Sequence, residues 1–364
     1  MRFTASLASA ALLLSTMCAT RPAPTAEETA ATYTAQPGDL PVGVIPEATA
    51  LDERRNRRLD LTIEYPISEG TFPLIIFSTG FGTPSRTYVS LSSYWASHGY
   101  VVMKVGHPGT DPENASVVEA WRDQTPEQWR NRTVDIKFLI DGLPTLQERY
   151  PELQGKIDPN RIGVGGHSYG AFVAVLLAGA RTFTDGMATS YADPRVKAVV
   201  AMSPHGPGES RGLATESWRD VRIPVMYISG SSDVGVTEAE NQEWRKQAYE
   251  LSPAGGKWWV SIAGAGHLAF TGRTRAPVAM RDPDTLRVPV DDRDPRRTPT
   301  TITDPGSTSM PRRVDTGFYG EQRLVSVVRT VSLAFWDAYL ENEDAGRDYL
   351  AKLSGRADLN VESK

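Results

Sequence analysis

Short apolar runs recur along the chain, separated by glycines, prolines and segments with a helical period. Runs of this kind, rich in β-branched residues and bounded by turn residues, are typical of buried strands. They predict strands at residues 59–65, 74–78, 101–105, 161–166, 196–202, 224–229 and 258–262. The segments between and after them predict helices near residues 87–97, 129–143, 238–251 and 324–340. Thr237 and Glu240 fit a capping box at the start of the third helix.

Strands and helices alternate in this pattern, which predicts the α/β fold class. Continuous apolar strands are buried on both faces, so we expect a mostly parallel central sheet with helices on both faces. In such a sheet, reactive residues collect in the loops after the carboxyl ends of the strands. We therefore expect a single domain over residues 42–364, with its site at that edge of the sheet.

The N-terminus has the pattern of a secretory signal peptide over residues 1–20, with Arg2 followed by an apolar stretch. That stretch is too short for a transmembrane span, which needs about 20 residues. An Ala/Thr/Pro-rich linker follows over residues 21–41. We predict an exported protein, periplasmic or extracellular. The single cysteine, Cys18, lies where a bacterial lipoprotein would be acylated, so a lipid anchor is the alternative, although Met17 fits that processing signal poorly.

Composition and charge exclude several classes of function. Of the 364 residues, 40% are hydrophobic and 23% are charged, as in ordinary globular proteins. The net charge is only -5, and no basic stripe indicates a nucleic-acid partner. The sequence has no metal-ligand cluster, phosphate-binding glycine loop or cofactor fingerprint, so we predict neither a cofactor nor a metal. We expect a monomer.

Residues 166–170 read Gly-His-Ser-Tyr-Gly and lie between a strand-like run and an apolar, helix-forming stretch. A strand that turns abruptly into a helix holds the central residue in a strained conformation, and glycines two positions to either side avoid a clash. Such a turn, a nucleophile elbow, exposes the serine hydroxyl above the sheet. The motif in this context predicts Ser168 as a nucleophile.

A serine hydroxyl needs a histidine to accept its proton and a carboxylate to orient that histidine. His267 follows the predicted strand 258–262 through a glycine-rich turn and comes after both the serine and the acid candidate, the chain order expected of this arrangement. We predict that His267 is the base. The other four histidines are expected to pack, to line the pocket or to lie at the opposite edge of the sheet: His98, His107, His167 and His205.

Asp233 is the candidate acid because it lies just past the predicted strand 224–229, at the same edge of the sheet as Ser168. Asp220 precedes that strand and so lies at the wrong edge. Glu240 is explained by the predicted helix start. A solvated turn aspartate is the alternative interpretation of Asp233.

The negative oxygen of a tetrahedral intermediate needs two backbone N–H donors, which form an oxyanion hole. Tyr169, directly after the nucleophile, supplies one. The loop after the strand 74–78 reads Thr-Gly-Phe-Gly-Thr, and we predict Phe81 as the second donor. Glycines in this loop let a substrate approach the backbone.

Two features bear on the substrate. Residues 271–315 are dense in Pro, Arg, Asp and Thr and far exceed an ordinary connection, so they form either a flap beside the site or a solvated insertion. Trp95, Trp121 and Trp129 suggest an aromatic or acyl-binding cleft, with packing in the core or at the surface as the alternative.

Taken together, these segments resemble the α/β-hydrolase superfamily. Within it the chain resembles secreted dienelactone-hydrolase-like and platelet-activating-factor-acetylhydrolase-like esterases, near the cutinase-type polyester hydrolases. The resemblance rests on residues 73–82, 97–102, 107–109, 158–163 with the elbow, and 333–340. Thr79 departs from the pattern, since those families usually have histidine there. The resemblance implies an α/β-hydrolase fold and ester hydrolysis by Ser168, His267 and Asp233.

We therefore predict a serine carboxylic-ester hydrolase that works through an acyl-enzyme on small acyl, lipid-like or polyester substrates. The same three residues can attack amides or pass an acyl group to an alcohol, so a serine peptidase or acyltransferase is the alternative. A binding protein that kept the fold and lost the chemistry is a third interpretation.

Overall fold

A computed structural model describes residues 33–108, 125–235, 239–271 and 318–364. Several sequence predictions lie outside the described residues: the signal peptide with Cys18, most of the linker, Trp121, Thr237 and the segment 272–315. Residues 33–41, the end of the predicted linker, lie against the folded body, where Tyr33 is buried. Within the described ranges, no helix combines the length and the apolarity of a membrane span.

A nine-stranded sheet forms the centre of the described part of the chain. The strands of the described residues are, in chain order, β1 (Val42–Asp52), β2 (Arg57–Pro66), β3 (Phe72–Ser78), β4 (Val101–Gly106), β5 (Ile157–His167), β6 (Arg181–Thr184), β7 (Met187–Ser190), β8 (Val196–Met202), β9 (Val225–Ser232), β10 (Lys257–Gly266) and β11 (Leu359–Ser363). The order across the sheet is β1-β2-β4-β3-β5-β8-β9-β10-β11, while β6 and β7 form a separate hairpin.

The sheet is mostly parallel. Strands β4, β3, β5, β8, β9 and β10 run in one direction, so their carboxyl ends meet at one edge. Antiparallel strands close the two sides, with β1 and β2 on one and β11 on the other. The predicted fold class is confirmed.

Helices cover both faces of the sheet. They are α1 (Val89–Ser97), α2 (Pro126–Asp141), α3 (Leu143–Arg149), α4 (Tyr169–Leu177), α5 (Gln242–Glu250), α6 (Phe318–Trp336) and α7 (Asp344–Lys352). Side chains of β3 alternate between two cores, because successive residues of a strand point to opposite faces. Leu74 and Ile76 pack in the core with α2, α4 and α5, and Ile75 and Phe77 pack in the core with α1 and α6.

The helix predicted at residues 238–251 begins later than expected. Its first residue is Gln242, and the side chain of Asn241 caps it by accepting the backbone N–H of Trp244 at 3.0 Å. Glu240 precedes the helix and forms an ion pair with Arg211. The predicted helix start is therefore wrong, because α5 begins at Gln242 with Asn241 as its cap, and Thr237, the other residue of the predicted capping box, lies outside the described residues.

The long helix predicted at residues 324–340 ends as an α-helix at Trp336 and continues as a π-helical turn, Asp337–Glu341. The Asp337 carboxylate accepts hydrogen bonds from the hydroxyls of Tyr33 at 2.9 Å and Tyr100 at 2.5 Å. Burial raises the pKa of Asp337 to about 7 in spite of these two bonds.

Candidate active site

The nucleophile elbow joins the end of β5 to the start of α4. Ser168 has φ 55° and ψ -117°, a conformation that a non-glycine residue rarely adopts. A Cβ atom on Gly166 would lie 2.2 Å from the carbonyl oxygen of Gly170, and one on Gly170 would lie 1.9 Å from that of Ser78. Both glycines are therefore required by backbone packing, as the motif predicts.

The structure brings Ser168, His267 and Asp233 together at the carboxyl edge of the sheet. The hydroxyl of Ser168 donates to His267 Nε2 at 3.0 Å, and His267 Nδ1–H donates to Asp233 Oδ1 at 2.8 Å. The second carboxylate oxygen, Oδ2, accepts the hydroxyl of Ser229 at 2.9 Å. Asp220 takes no part in this chain of hydrogen bonds and pairs with Arg181.

The Asp233 carboxyl is fully buried and ionised. Burial alone would raise its pKa, but the hydrogen bond from His267 and the charge of Arg245 outweigh that effect and lower the pKa to about 2. A carboxylate that keeps its charge holds the His267 proton on Nδ1, which leaves Nε2 free to accept the serine proton. The arrangement thus has the electrostatics that proton transfer from Ser168 requires.

The two predicted oxyanion donors lie in segments that meet. Tyr169 is the first residue of α4, and Phe81 lies in the loop after β3. Their rings pack edge to face with centroids 5.9 Å apart. The hydroxyl of Thr79 lies 2.7 Å from the carbonyl oxygen of Thr83 and 3.0 Å from that of Val105, so it ties this loop to β4. The Thr79 hydroxyl thus anchors this loop.

Arg132, on the buried face of α2, contacts the loop of residues 79–83 that carries the predicted donor Phe81, here called the oxyanion loop. Its Nη1 donates to the carbonyl oxygen of Thr79 at 2.8 Å. The guanidinium carbon lies 4.7 Å from the ring centre of Tyr169 and 6.0 Å from that of Phe81. Burial lowers the pKa of Arg132 to about 10, which still leaves it charged at neutral pH. One buried cation therefore contacts the oxyanion loop and both predicted donor residues.

His167, inside the elbow, connects the three loops of the site. Burial lowers its pKa to about 3, so the ring is neutral. Its Nε2–H donates to the carbonyl oxygen of His267 at 2.9 Å, and its Nδ1 accepts the hydroxyl of Tyr88 at 2.9 Å. The Tyr88 oxygen in turn accepts the backbone N–H of Gly80 at 3.3 Å. A hydrogen-bonded chain thus runs from the oxyanion loop through the elbow to the histidine loop.

His107 belongs to a second Ser-His-Asp row that is fully buried. The hydroxyl of Ser78 donates to His107 Nε2 at 3.0 Å, and His107 Nδ1–H donates to Asp135 Oδ2 at 2.9 Å. Arg57 binds both oxygens of Asp135 at 2.9 and 2.8 Å. Burial and the nearby Arg132 lower the pKa of His107 to about 4. Because Ser78 is inaccessible, this row is a structural support beneath the oxyanion loop.

Three of the remaining described candidates, Trp95, Trp129 and His205, are buried inside the protein. Trp95 donates its N–H to Ser332, and Trp129 packs edge to face on Phe172; both tryptophans are buried, so neither lines an acyl cleft. His205 stacks on Phe172 with ring centres 5.4 Å apart. His98, at the opposite edge of the sheet, hydrogen-bonds to its own helix. The described residues include no group of His, Cys, Asp or Glu side chains placed to hold a metal ion.

Sequence reasoning missed three residues at this site: Tyr88, Arg132 and Arg245. Helical periodicity could have pointed to the two arginines. Arg245 shares the buried face of α5 with Ala248 and Tyr249, at positions i, i+3 and i+4. A charged residue on the apolar face of a helix needs a buried partner, so such a position indicates a site.

The strand order and the position of the elbow have the architecture of the α/β-hydrolase fold. The elbow follows β5, the acid follows β9 and the histidine follows β10, in the order that this fold uses. A family model described as chlorophyllase matches residues 35–204, a stretch that includes Ser168 and ends before Asp233.

Curated relatives are cutinases and a related hydrolase. The chain is 25% identical over 209 residues to cutinase est2 of Thermobifida alba, which covers 57% of each chain. It is 24% identical over 209 residues to cutinase cut1 of Thermobifida fusca, covering 57% of this chain and 53% of the relative. It is 25% identical over 184 residues to bis(hydroxyethyl) terephthalate hydrolase of Streptomyces coelicolor, covering 50% of this chain and 47% of the relative.

The chain thus spans about half the length of the curated relatives it matches. The predicted resemblance to the α/β-hydrolase superfamily, near the cutinase-type hydrolases, is confirmed. The narrower resemblance to dienelactone-hydrolase-like and platelet-activating-factor-acetylhydrolase-like esterases stays a prediction.

Proposed function

We propose that this protein is a serine carboxylic-ester hydrolase. The observation that carries the proposal is the unbroken chain of hydrogen bonds from Asp233 through His267 to Ser168, built on the ends of three parallel strands. Similarity to cutinases supports the same reaction class. In this proposal Ser168 is the nucleophile, His267 the general base and acid, and Asp233 the group that orients His267.

The reaction would proceed in two steps. The oxygen of Ser168 attacks the ester carbonyl carbon while its proton moves to His267 Nε2, and the resulting imidazolium returns that proton to the departing alcohol. Water then attacks the acyl-enzyme, giving one proton to His267, and the serine oxygen leaves and recovers that proton. The sum is ester and water giving acid and alcohol, with no other reactant consumed.

The backbone N–H groups of Tyr169 and Phe81 would stabilise the negative oxygen formed in both steps. Two contacts support this assignment: Gly170 packs directly on the carbonyl of Ser78, and the rings of Phe81 and Tyr169 are in contact. Arg132 adds a positive charge close to both residues. A hole built this way stabilises the transition state more than the substrate, which raises kcat.

A substitution at Ser168 tests the reaction class. Ser168→Ala should lower hydrolysis of a short-chain nitrophenyl ester by about 10⁶-fold, because a serine hydrolase without its nucleophile keeps only the contribution of substrate binding and the oxyanion donors. It should also abolish labelling by a fluorophosphonate probe. Ser252→Ala is the matched control, since that buried hydroxyl bonds to Tyr227 and lies at the far end of α5. Undiminished hydrolysis in Ser168→Ala would refute the proposal.

For the substrate we propose acyl esters that include small diesters and polyesters, because the relatives are named cutinase and bis(hydroxyethyl) terephthalate hydrolase. Chromatography of bis(hydroxyethyl) terephthalate incubated with the protein should show release of the half-ester. A matched diamide should be stable under the same conditions. Faster cleavage of the diamide would favour a peptidase, and acyl transfer to an added alcohol in preference to water would favour an acyltransferase.

A further inference from the structure

Arg245 lies beneath the acid and histidine loops and is almost completely buried, with 1% of its surface exposed. Its Nε lies 3.1 Å from Asp233 Oδ1. Its Nη1 donates to the carbonyl oxygens of Ser203 and Pro204 at 3.1 and 3.0 Å, in the loop after β8. The guanidinium therefore joins helix α5 to two of the loops that carry the site.

The same guanidinium touches the candidate base. Arg245 Nη2 lies 3.3 Å from His267 Nδ1. Because the proton on Nδ1 donates to Asp233, this nitrogen cannot also accept one from the arginine. The contact is therefore between a positive charge and the imidazole edge, and it is not a hydrogen bond. Asp233 and His267 thus share one buried cation.

We propose that Arg245 is a positioning residue of the triad, one that fixes the Asp233 carboxylate and places a positive charge beside the His267 ring, which shapes the pH dependence of the reaction. This inference rests on the proposed function. The fork of the guanidinium fixes the carboxylate because it also bonds to two carbonyls, so neither the arginine nor the aspartate can turn alone. Its charge opposes a second proton on the imidazole, because two positive groups then face each other at contact distance.

The other charged and titratable groups around His267 do not cancel the effect of the Arg245 charge on the imidazole. Asp233 carries a negative charge that favours the imidazolium, and Arg245 offsets part of it. Arg211 is already paired with Glu240. His167 and His205 are neutral, since burial lowers the pKa of His167 to about 3 and that of His205 well below its usual range.

The test compares variants that separate charge from shape. Arg245→Gln removes the charge and keeps an NH₂ group that can donate to the carbonyls, whereas Arg245→Lys keeps the charge and loses the fork. The readout is kcat/KM for a short-chain nitrophenyl ester from pH 5 to 9. Arg195→Met is the matched control, because Arg195 binds the carboxylates of Asp193 and Asp141 far from the site.

We expect Arg245→Gln to lower kcat/KM by about 10²-fold, the loss that a small misplacement of catalytic groups produces. The acid limb of its kcat/KM–pH profile should move up by about 1 pH unit, because a positive charge close to the imidazole has been removed. Arg245→Lys should have a lower kcat/KM than the wild type, but the acid limb of its pH profile should lie at the wild-type pH. The control should match the wild type in rate and in pH profile.

A purely structural role for Arg245 would lower the rate without moving the acid limb of Arg245→Gln, and that result would overturn the inference. If the variant folds poorly, the rate of fluorophosphonate labelling is followed against pH instead, since only folded molecules with a reactive serine are labelled. Wild-type protein without Ser168-dependent hydrolysis or labelling would overturn the proposed function, and the inference with it. If the wild type is active and the acid limb of Arg245→Gln does not move, the inference about Arg245 is overturned while the proposed function stands.

Discussion

The hydroxyl of Tyr88 gives the sharpest test of how the loops of the site are held together. It donates to His167 Nδ1 at 2.9 Å and accepts the backbone N–H of Gly80 at 3.3 Å. His167 in turn donates to the backbone carbonyl of His267. Tyr88→Phe removes one oxygen atom and breaks this chain between the oxyanion loop and the elbow.

The size of the effect follows from the groups left without a partner. His167 Nδ1 and the Gly80 N–H are both buried, and a buried polar group without a partner costs about 1–3 kcal/mol. Because the hydrogen bond from Gly80 is long, we assign about 1 kcal/mol to the Gly80 N–H and about 2 kcal/mol to His167 Nδ1. We therefore expect Tyr88→Phe to lower the free energy of unfolding by about 3 kcal/mol. Removing an oxyanion donor outright lowers kcat about 10²–10³-fold, so loosening the loop that precedes Phe81 should lower kcat about 10-fold.

Urea unfolding and kcat for a nitrophenyl ester measure the two effects separately. Tyr94→Phe is the matched control on the same helix segment, since the Tyr94 hydroxyl donates to the carbonyl of Thr34, away from the elbow. In the control, the free energy of unfolding should fall by about 1 kcal/mol and kcat should stay unchanged. The reasoning is refuted if Tyr88→Phe keeps wild-type kcat, or if it is no less stable than the control.

Three further predictions concern folding. Asp337→Asn should flatten the pH dependence of stability between pH 5 and 8, measured by thermal unfolding. Because burial raises the pKa of Asp337 to about 7, the wild-type carboxyl contributes most to stability at acid pH, and that contribution is lost as the pH rises through 7. An unchanged slope would contradict this. Gly170→Ala should abolish soluble, probe-reactive protein because its Cβ would lie 1.9 Å from the Ser78 carbonyl, whereas Gly208→Ala, with no atom within 3.8 Å, should be tolerated. Asp135→Asn should cost about 3 kcal/mol in urea unfolding, because it removes the charge that two arginines share, and wild-type stability would count against that role.

Much of the fold could be predicted because its parallel strands are continuous apolar runs. The predicted strand 196–202 coincides with β8, and those at 74–78 and 224–229 differ from β3 and β9 by a few residues. Once the strands are placed, the carboxyl-end rule selects Asp233 over Asp220 without any knowledge of distances. The site residues predicted from loop position therefore lie together.

The parts that sequence reasoning missed depend on contacts between distant segments. Glu240 fits a local capping box, yet its carboxylate binds Arg211. Strand β11 has the alternating pattern Leu-Asn-Val-Glu-Ser, but five residues near a chain end decide little until β10 supplies a partner. Tyr88 gives no periodic signal at all, because its role depends on one hydroxyl that meets His167 in space.

The two buried arginines show why stability and catalysis are expected to be coupled at this edge of the sheet. Where the chain leaves β3 and β8, the carbonyls of Thr79, Ser203 and Pro204 are buried and need donors from outside the strand ladder. Arginine suits this role because it carries five N–H donors and no acceptor, and Arg132 and Arg245 bind these three carbonyls.

Each arginine is a hydrogen-bond donor and also a cation. Arg132 places its positive charge beside the predicted oxyanion residues, and Arg245 places its charge beside the Asp233–His267 pair. Substitutions at either arginine should therefore lower the free energy of unfolding and kcat together. Loss of the Asp337 carboxylate, which lies in the π-helical turn after α6, should change stability alone. A variant of either arginine that lost only one of the two properties would separate the structural requirement at the strand ends from the chemistry.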